Sequence, residues 1–133
     1  MSESFLSNDA RTILIVDDVP ANLAVAVEYL EANHFQVMVA QDGVEGIERA
    51  QLVHPDLVLL DVMMPGMDGL ATLSALRGLS QTADTPVIFM TAKVQASEIQ
   101  HYMRLGATGV IAKPFDPMTL SAQIGEIWQK VAG

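Results

Sequence analysis

The sequence predicts an α/β fold, an open parallel sheet with helices on both faces. Three observations carry that expectation. Short apolar runs at residues 12–16, 35–40, 57–60, 86–90 and 108–112 read as strands. A stretch with helical spacing follows each run, and such alternation marks parallel strands joined by crossover helices. Polar residues gather where the runs end, the edge at which open α/β sheets place their chemistry.

Residues 1–11 are mostly polar and read as a loose arm, leaving 12–130 as one domain. The first run, Thr12-Ile13-Leu14-Ile15-Val16, ends at Asp17-Asp18. Pro20 suits the first turn of a helix, and Leu23, Val27 and Leu30 continue it to about Asn33. The second run shows some alternation, as an edge strand does, and leads through Gln41-Asp42-Gly43 to a helix marked by Val44, Ile47 and Leu52. The third run, Leu57-Val58-Leu59-Leu60, is continuously apolar, hence buried on both faces, and closes on Asp61. A helix over 69–77 follows, with Asp68 as its N-cap and Gly78 as its stop. The fourth run ends at Thr91-Ala92-Lys93, and a helix over about 96–105 stops at Gly106. The fifth run ends at Lys113-Pro114-Phe115, and Leu120, Ile124, Ile127 and Val131 line one face of the last helix. Right-handed crossovers then favour the flavodoxin-like strand order 2-1-3-4-5, with a crevice between the ends of strands one and three.

The 133 residues suffice for one domain with a real core, and half of them are hydrophobic. No apolar stretch approaches the roughly 18 residues that span a bilayer, and the opening residues lack the pattern of a signal peptide. With no cysteine there are neither disulfides nor thiolate metal sites. These features favour a cytoplasmic protein. A net charge of −9 opposes binding to nucleic acid, whose affinity rests on cationic contacts.

Asp17, Asp18 and Asp61 converge on the predicted crevice, with Thr91 and Lys113 on the same side. Converging carboxylates repel one another, and a divalent cation relieves that cost. Oxygen-only ligands suit Mg2+ or Mn2+ rather than Zn2+. Asp61 is then free to attack phosphorus and form an aspartyl phosphate, with Lys113 and Thr91 serving the phosphoryl oxygens. Singly, each residue has a simpler reading: Asp17 and Asp18 as helix caps, Thr91 as a turn residue, Lys113 as a solvated lysine. Jointly, at equivalent strand ends, the simpler readings fail. Met63, Met64 and Met67 suit gap-filling packing. His34, His54 and His101 lack partners at metal spacing, and Trp128 reads chiefly as core.

Taken in order, Asp17-Asp18, Asp61 with Met64-Pro65-Gly66-Met67-Asp68-Gly69, Thr91-Ala92 and Lys113-Pro114-Phe115 resemble the receiver domain of two-component response regulators. The resemblance implies that Asp61 accepts a phosphoryl group from a phosphohistidine on a histidine kinase or phosphotransfer protein. It implies a Mg2+ held by Asp18, Asp61 and the backbone carbonyl of Met63, with Asp17 acting through a metal-bound water. Thr91 would respond to the phosphoryl group, Lys113 would pair with it, and the Lys113–Pro114 bond would be cis. The helix 4–strand 5–helix 5 face would meet a downstream target or attached output domain. Such a protein is a monomer or a phosphorylation-dependent dimer, and binds neither membrane nor nucleic acid directly.

Two positions bear on readout and decay. Val110 stands where the family commonly carries an aromatic ring, and valine has a stiff χ1 and little surface to hide or expose. Met63 and Lys93 flank the path of a hydrolytic water, which an apolar Met63 does not orient. The alternative function is a Mg2+-dependent aspartyl-phosphate phosphatase or phosphotransferase. Those hydrolases usually carry a second aspartate where Met63 stands, so the sequence favours a switch that assists its own phosphorylation and dephosphorylation over an enzyme. A pseudo-receiver would need a broken site, and every site residue is present. The run of elements ends with the last helix, as expected of a stand-alone receiver or the first domain of a longer chain.

Overall fold

The strands form where aliphatic and β-branched residues run unbroken, because both faces of the sheet are covered. The computed structural model describes residues 11–132, so the expected arm lies outside the described residues except for Arg11. The elements in chain order are β1 (Thr12–Val16), α1 (Pro20–Ala32), β2 (Gln36–Ala40), α2 (Gly43–Val53), β3 (Leu57–Asp61), α3 (Gly69–Arg77), β4 (Val87–Thr91), α4 (Ala96–Arg104), β5 (Gly109–Ala112) and α5 (Pro117–Ala132). All pairings are parallel, in the order β2-β1-β3-β4-β5, which is the predicted topology. The register sets Val16 beside Leu60, Asp61 beside Met90, and Thr91 beside Ala112.

Alternate residues of each central strand feed two cores. Ile13, Ile15, Leu59, Ile88 and Met90 pack under α1 and α5 with Leu23, Leu30, Leu120 and Ile124. Leu14, Val16, Leu60 and Phe89 pack on the opposite face with Leu73, Leu76 and Tyr102. Each fully buried Leu or Ile contributes roughly 1.5–3 kcal/mol. Trp128 packs against the first of these cores, its ring stacked on Phe35 at 6.1 Å with the Arg11 guanidinium 4.6 Å above it.

The structure corrects two local expectations. Phe35 does not begin β2; its N–H donates to the Leu30 carbonyl, so it belongs to the turn that closes α1. Val44 and Leu52 do not face the sheet from α2: they are 54% and 81% exposed, while Gly43, Gly46 and Ala50 are buried. Small residues are required there, since a Cβ on Gly46 would stand 2.9 Å from a Val16 methyl. Gly78 stops α3 as expected, in a right-handed conformation at φ −83°, its N–H donating to the Ser74 and Ala75 carbonyls. Arg77 ties the end of α3 to later segments: its guanidinium donates to the carbonyls of Gly106, Thr82 and Thr85 at 2.8–3.3 Å.

Candidate functional site

Asp17 and Asp61 stand at the ends of adjacent strands, held there by the β1–β3 register and almost wholly buried, at 1% and 3% exposed. Asp18 is the more open neighbour. One carboxylate oxygen from each of the three lies within 4.8 Å of the others. Lys113, just beyond β5, bridges two of them: its Nζ is 2.9 Å from Asp17 Oδ2 and 3.2 Å from Asp61 Oδ2. The Lys113 N–H donates to the Thr91 carbonyl, and the Lys113–Pro114 peptide is cis.

The remaining oxygens of Asp17 and Asp61 are committed. Asp17 Oδ1 accepts the Val19 N–H at 2.9 Å, and Asp17 Oδ2 also accepts from the Asn22 amide at 3.3 Å. Neither aspartate caps α1, whose N-cap is Val19 without a side-chain bond. Asp61 Oδ1 accepts the Met63 N–H at 3.2 Å. Thr91 is buried, and its Oγ1 accepts the Lys93 N–H at 3.0 Å, which leaves its hydroxyl proton available to an acceptor. Asp68 caps α3 by accepting the Ala71 N–H. Gly69 lets the start of α3 lie against the end of β3, its N–H donating to the Val62 carbonyl.

Burial pushes the Asp61 pKa above the ordinary aspartate value. The Lys113 charge opposes this, the Asp17 charge adds to it, and bonds from Lys113 and Met63 oppose it, with the net result upward. Burial alone would lower the Lys113 pKa, but the hydrogen bond and charge of Asp17, then the charge and bond of Asp61, raise it. Lys113 is therefore a permanent cation. One ammonium among three carboxylates leaves an excess of two negative charges, which a divalent ion balances. The donor set is all oxygen, so the residues fit a hard cation such as Mg2+.

The structure thus gathers Asp17, Asp18, Asp61 and Lys113. Thr91 closes β4 and Met63 sits on the loop after β3, tied to the site by the Lys113–Thr91 and Met63–Asp61 bonds. Met63 is 62% exposed, and Lys93 is exposed as well. Val110 is half-buried against the core that holds Phe89 and Tyr102. The sequence reading assigned no role to Asn22, although its place in the first turn after Pro20 was a usable signal. It also missed a cleft of about 780 Å3 between the β3–α3 loop and α4.

The profile of the response regulator receiver domain matches residues 13–125. The chain belongs to the response regulator receiver family. Among curated relatives, it is 36% identical to Protein PilH of Pseudomonas aeruginosa over 86% of this chain and 95% of that protein. It is 36% identical to Response regulator PleD of Caulobacter vibrioides over 84% of this chain. With the phosphate regulon transcriptional regulatory protein PhoB of Escherichia coli it shares 33% identity over 92% of this chain. It spans 25% of PleD and 54% of PhoB. The solved structure of the chemotaxis response regulator CheY4 of Vibrio cholerae aligns with a TM-score of 0.84 and 31% identity, covering 89% of this chain and 98% of that one. The receiver fold and strand order are thus those of this family.

Proposed function

We propose that this receiver is a phosphorylation-dependent switch in which Asp61 accepts a phosphoryl group from a phosphohistidine on a histidine kinase or phosphotransfer protein. The observation that carries the proposal is Lys113 bridging two buried aspartates beside a third, a site built for a cation and a transferred phosphoryl group. Asp18, Asp61 and the Met63 carbonyl would hold Mg2+, with Asp17 acting through water. The bound cation supplies charge neutralisation for the phosphoryl oxygens.

The chain's own residues do the rest. An Asp61 carboxylate oxygen forms the new bond to phosphorus as the P–N bond of the donor breaks. Lys113, already 3.2 Å from Asp61 Oδ2, is placed to pair with a phosphoryl oxygen. The Thr91 hydroxyl, with its oxygen held by Lys93 N–H, is able to donate its proton to another. Asn22 and Val19 hold Asp17 in orientation. The partners are the phosphodonor protein and a downstream target or attached output domain on the α4–β5–α5 face. Phosphorylation would govern any dimer, and we place the protein in the cytoplasm. Among the described residues no helix is long and apolar enough to cross a membrane.

The test is incubation with a small-molecule phosphodonor, with Mg2+ or with excess chelator, read by intact mass. One phosphoryl group per chain, dependent on the cation, is the expected result. Multiple turnover of small phosphate esters would favour the phosphatase alternative and contradict the switch.

Met63 is proposed to slow phosphoryl loss, since its thioether flanks the site yet does not orient water as an amide would. The Met63→Asn variant is expected to lose its phosphoryl group about tenfold faster, the effect of one net hydrogen bond on a barrier. Equal half-lives would remove the idea. Lys93, on the opposite flank, shares this role. Val110 is proposed to limit readout at β5. Val110→Tyr is expected to change the partner-affinity ratio between phosphorylated and unphosphorylated protein. An unchanged ratio in a binding titration would show that position 110 does not govern the switch.

A further inference from the structure

An exposed thioether stands beside the phosphoacceptor aspartate. Val62 and Met64 are buried, at 6% and 7% exposed, while Met63 between them turns outward. Its side chain borders the cleft of about 780 Å3 that Lys93 also lines. Its N–H donates to Asp61 Oδ1 at 3.2 Å, which holds the residue against that carboxylate. The chain contains no cysteine, so thioether sulfur is the softest nucleophile it presents to an oxidant. Met64 and Met90 are sealed in the cores. Met103 and Met118 share the exposure of Met63, but they lie in the last turn of α4 and the first turn of α5 rather than on the loop that follows Asp61. Because Met63 already stands in solvent, added polarity at its sulfur costs the fold little.

We propose that Met63 is a site of reversible oxidation by peroxide that shortens the lifetime of the phosphoryl group, an inference that rests on the phosphoacceptor function and the role of Met63 in decay proposed above. The sulfur lone pair attacks one oxygen of hydrogen peroxide. An S–O bond forms, the O–O bond breaks, and the proton of the transferred oxygen passes to the departing hydroxide, which leaves as water. Sulfur gives up two electrons and the peroxide takes them. The thioether is a weak acceptor, whereas the sulfoxide oxygen is a strong one. A water that donates one hydrogen to it is held beside the phosphoryl group. The oxygen of that water bonds to phosphorus as the P–O bond to Asp61 breaks, leaving the Asp61 carboxylate and inorganic phosphate, with the second proton going to solvent. A methionine sulfoxide reductase returns the thioether: two thiols become a disulfide, and the oxygen leaves as water. Oxidation at this one sulfur thus shortens the signal without touching the phosphoacceptor itself.

The test is the decay of phosphorylated protein that was first treated with hydrogen peroxide or left untreated. Peroxide is removed, the protein is loaded with a small-molecule phosphodonor and Mg2+, and the donor is then removed. Intact mass reads phosphoryl occupancy over time, and peptide mapping reads the oxygen on each methionine. Treated wild type is expected to carry the sulfoxide at Met63 and to lose its phosphoryl group about tenfold faster than untreated protein, the effect of one hydrogen bond on a barrier. Sulfoxide reductases for both epimers, supplied with a thiol, are expected to restore slow decay. Met118→Leu is expected to keep the peroxide effect. Met63→Leu is expected to decay at one rate with and without peroxide, and Met63→Gln, with a fixed amide acceptor, to decay fast in both. Equal half-lives in untreated and Met63-oxidised wild type overturn the inference. So does oxidation of Met118 with Met63 spared, a peroxide effect that persists in Met63→Leu, or removal of the Met63 oxygen without return of slow decay. These results leave the phosphoacceptor function standing, whereas absence of uptake by the untreated wild type overturns both.

Discussion

Gly69→Ala is expected to destabilise this receiver by about 2–3 kcal/mol, within the range for overpacking a tight site. The added Cβ would drive into the backbone carbonyl oxygen of Asp61 and stand 2.7 Å from Val62 Cα. These are main-chain atoms at the end of β3, so no side chain can rotate away. Something in the backbone must shift, and the segment that shifts carries Asp61. For a domain of this size the loss corresponds to a Tm lower by roughly 6–15 °C. The same variant is expected to take up phosphoryl more slowly, because displacement of Asp61 disturbs its bonds to Met63 and Lys113. Thermal denaturation and single-turnover uptake check the two parts. A variant with wild-type Tm would show that α3 does not need glycine for its approach to β3.

Asp61→Asn is expected to raise stability at neutral pH in cation-free buffer. Asp61 is buried among carboxylates, and its pKa stands above the ordinary aspartate value of 3.8. The native protein therefore keeps this proton to higher pH than the unfolded chain does. Stability falls as pH rises from the ordinary value through the native one, and the full cost is present at pH 7. The amide has no charge to desolvate, so the variant should gain on the order of 1 kcal/mol, or roughly 3–6 °C in Tm. The gain should vanish in acid, where the wild-type carboxyl is protonated. Lys113 acts in the opposite sense. Its raised pKa contributes stability that is complete below the ordinary lysine value of 10.5 and is lost as pH climbs through the native one. Mg2+ should stabilise the wild type, by about 1.4 kcal/mol at tenfold excess over its Kd, and should do much less for Asp61→Asn. A Tm for Asp61→Asn at or below that of wild type at pH 7 without cation would contradict this electrostatic account.

How far these features could be read without coordinates depended on which force set them. The central strands were legible because burial on both faces demands continuous apolar runs such as Leu57-Val58-Leu59-Leu60. Polar groups at strand ends were legible because a polar residue that closes such a run breaks the pattern visibly, as Asp61 and Lys113 do. Helix faces were less so. In α2 a search for large apolar residues selected Val44 and Leu52, which are exposed, because the sheet approaches so closely that only Gly43, Gly46 and Ala50 fit. Periodicity arguments register side-chain hydrophobicity and are blind to the room available. Asn22 escaped because an amide at a helix start has many uses, and only the folded chain shows it bonded to Asp17. The cleft beside Tyr102 is a property of how two loops and a helix fail to fill space, and no local pattern encodes it.

The central claim is that Asp61 is the phosphoacceptor, and intact mass after incubation with a small phosphodonor and Mg2+ tests it most directly. The wild type should gain one phosphoryl group and Asp61→Asn none, although the variant remains folded. A phosphoryl gain of the same extent in Asp61→Asn would contradict the claim.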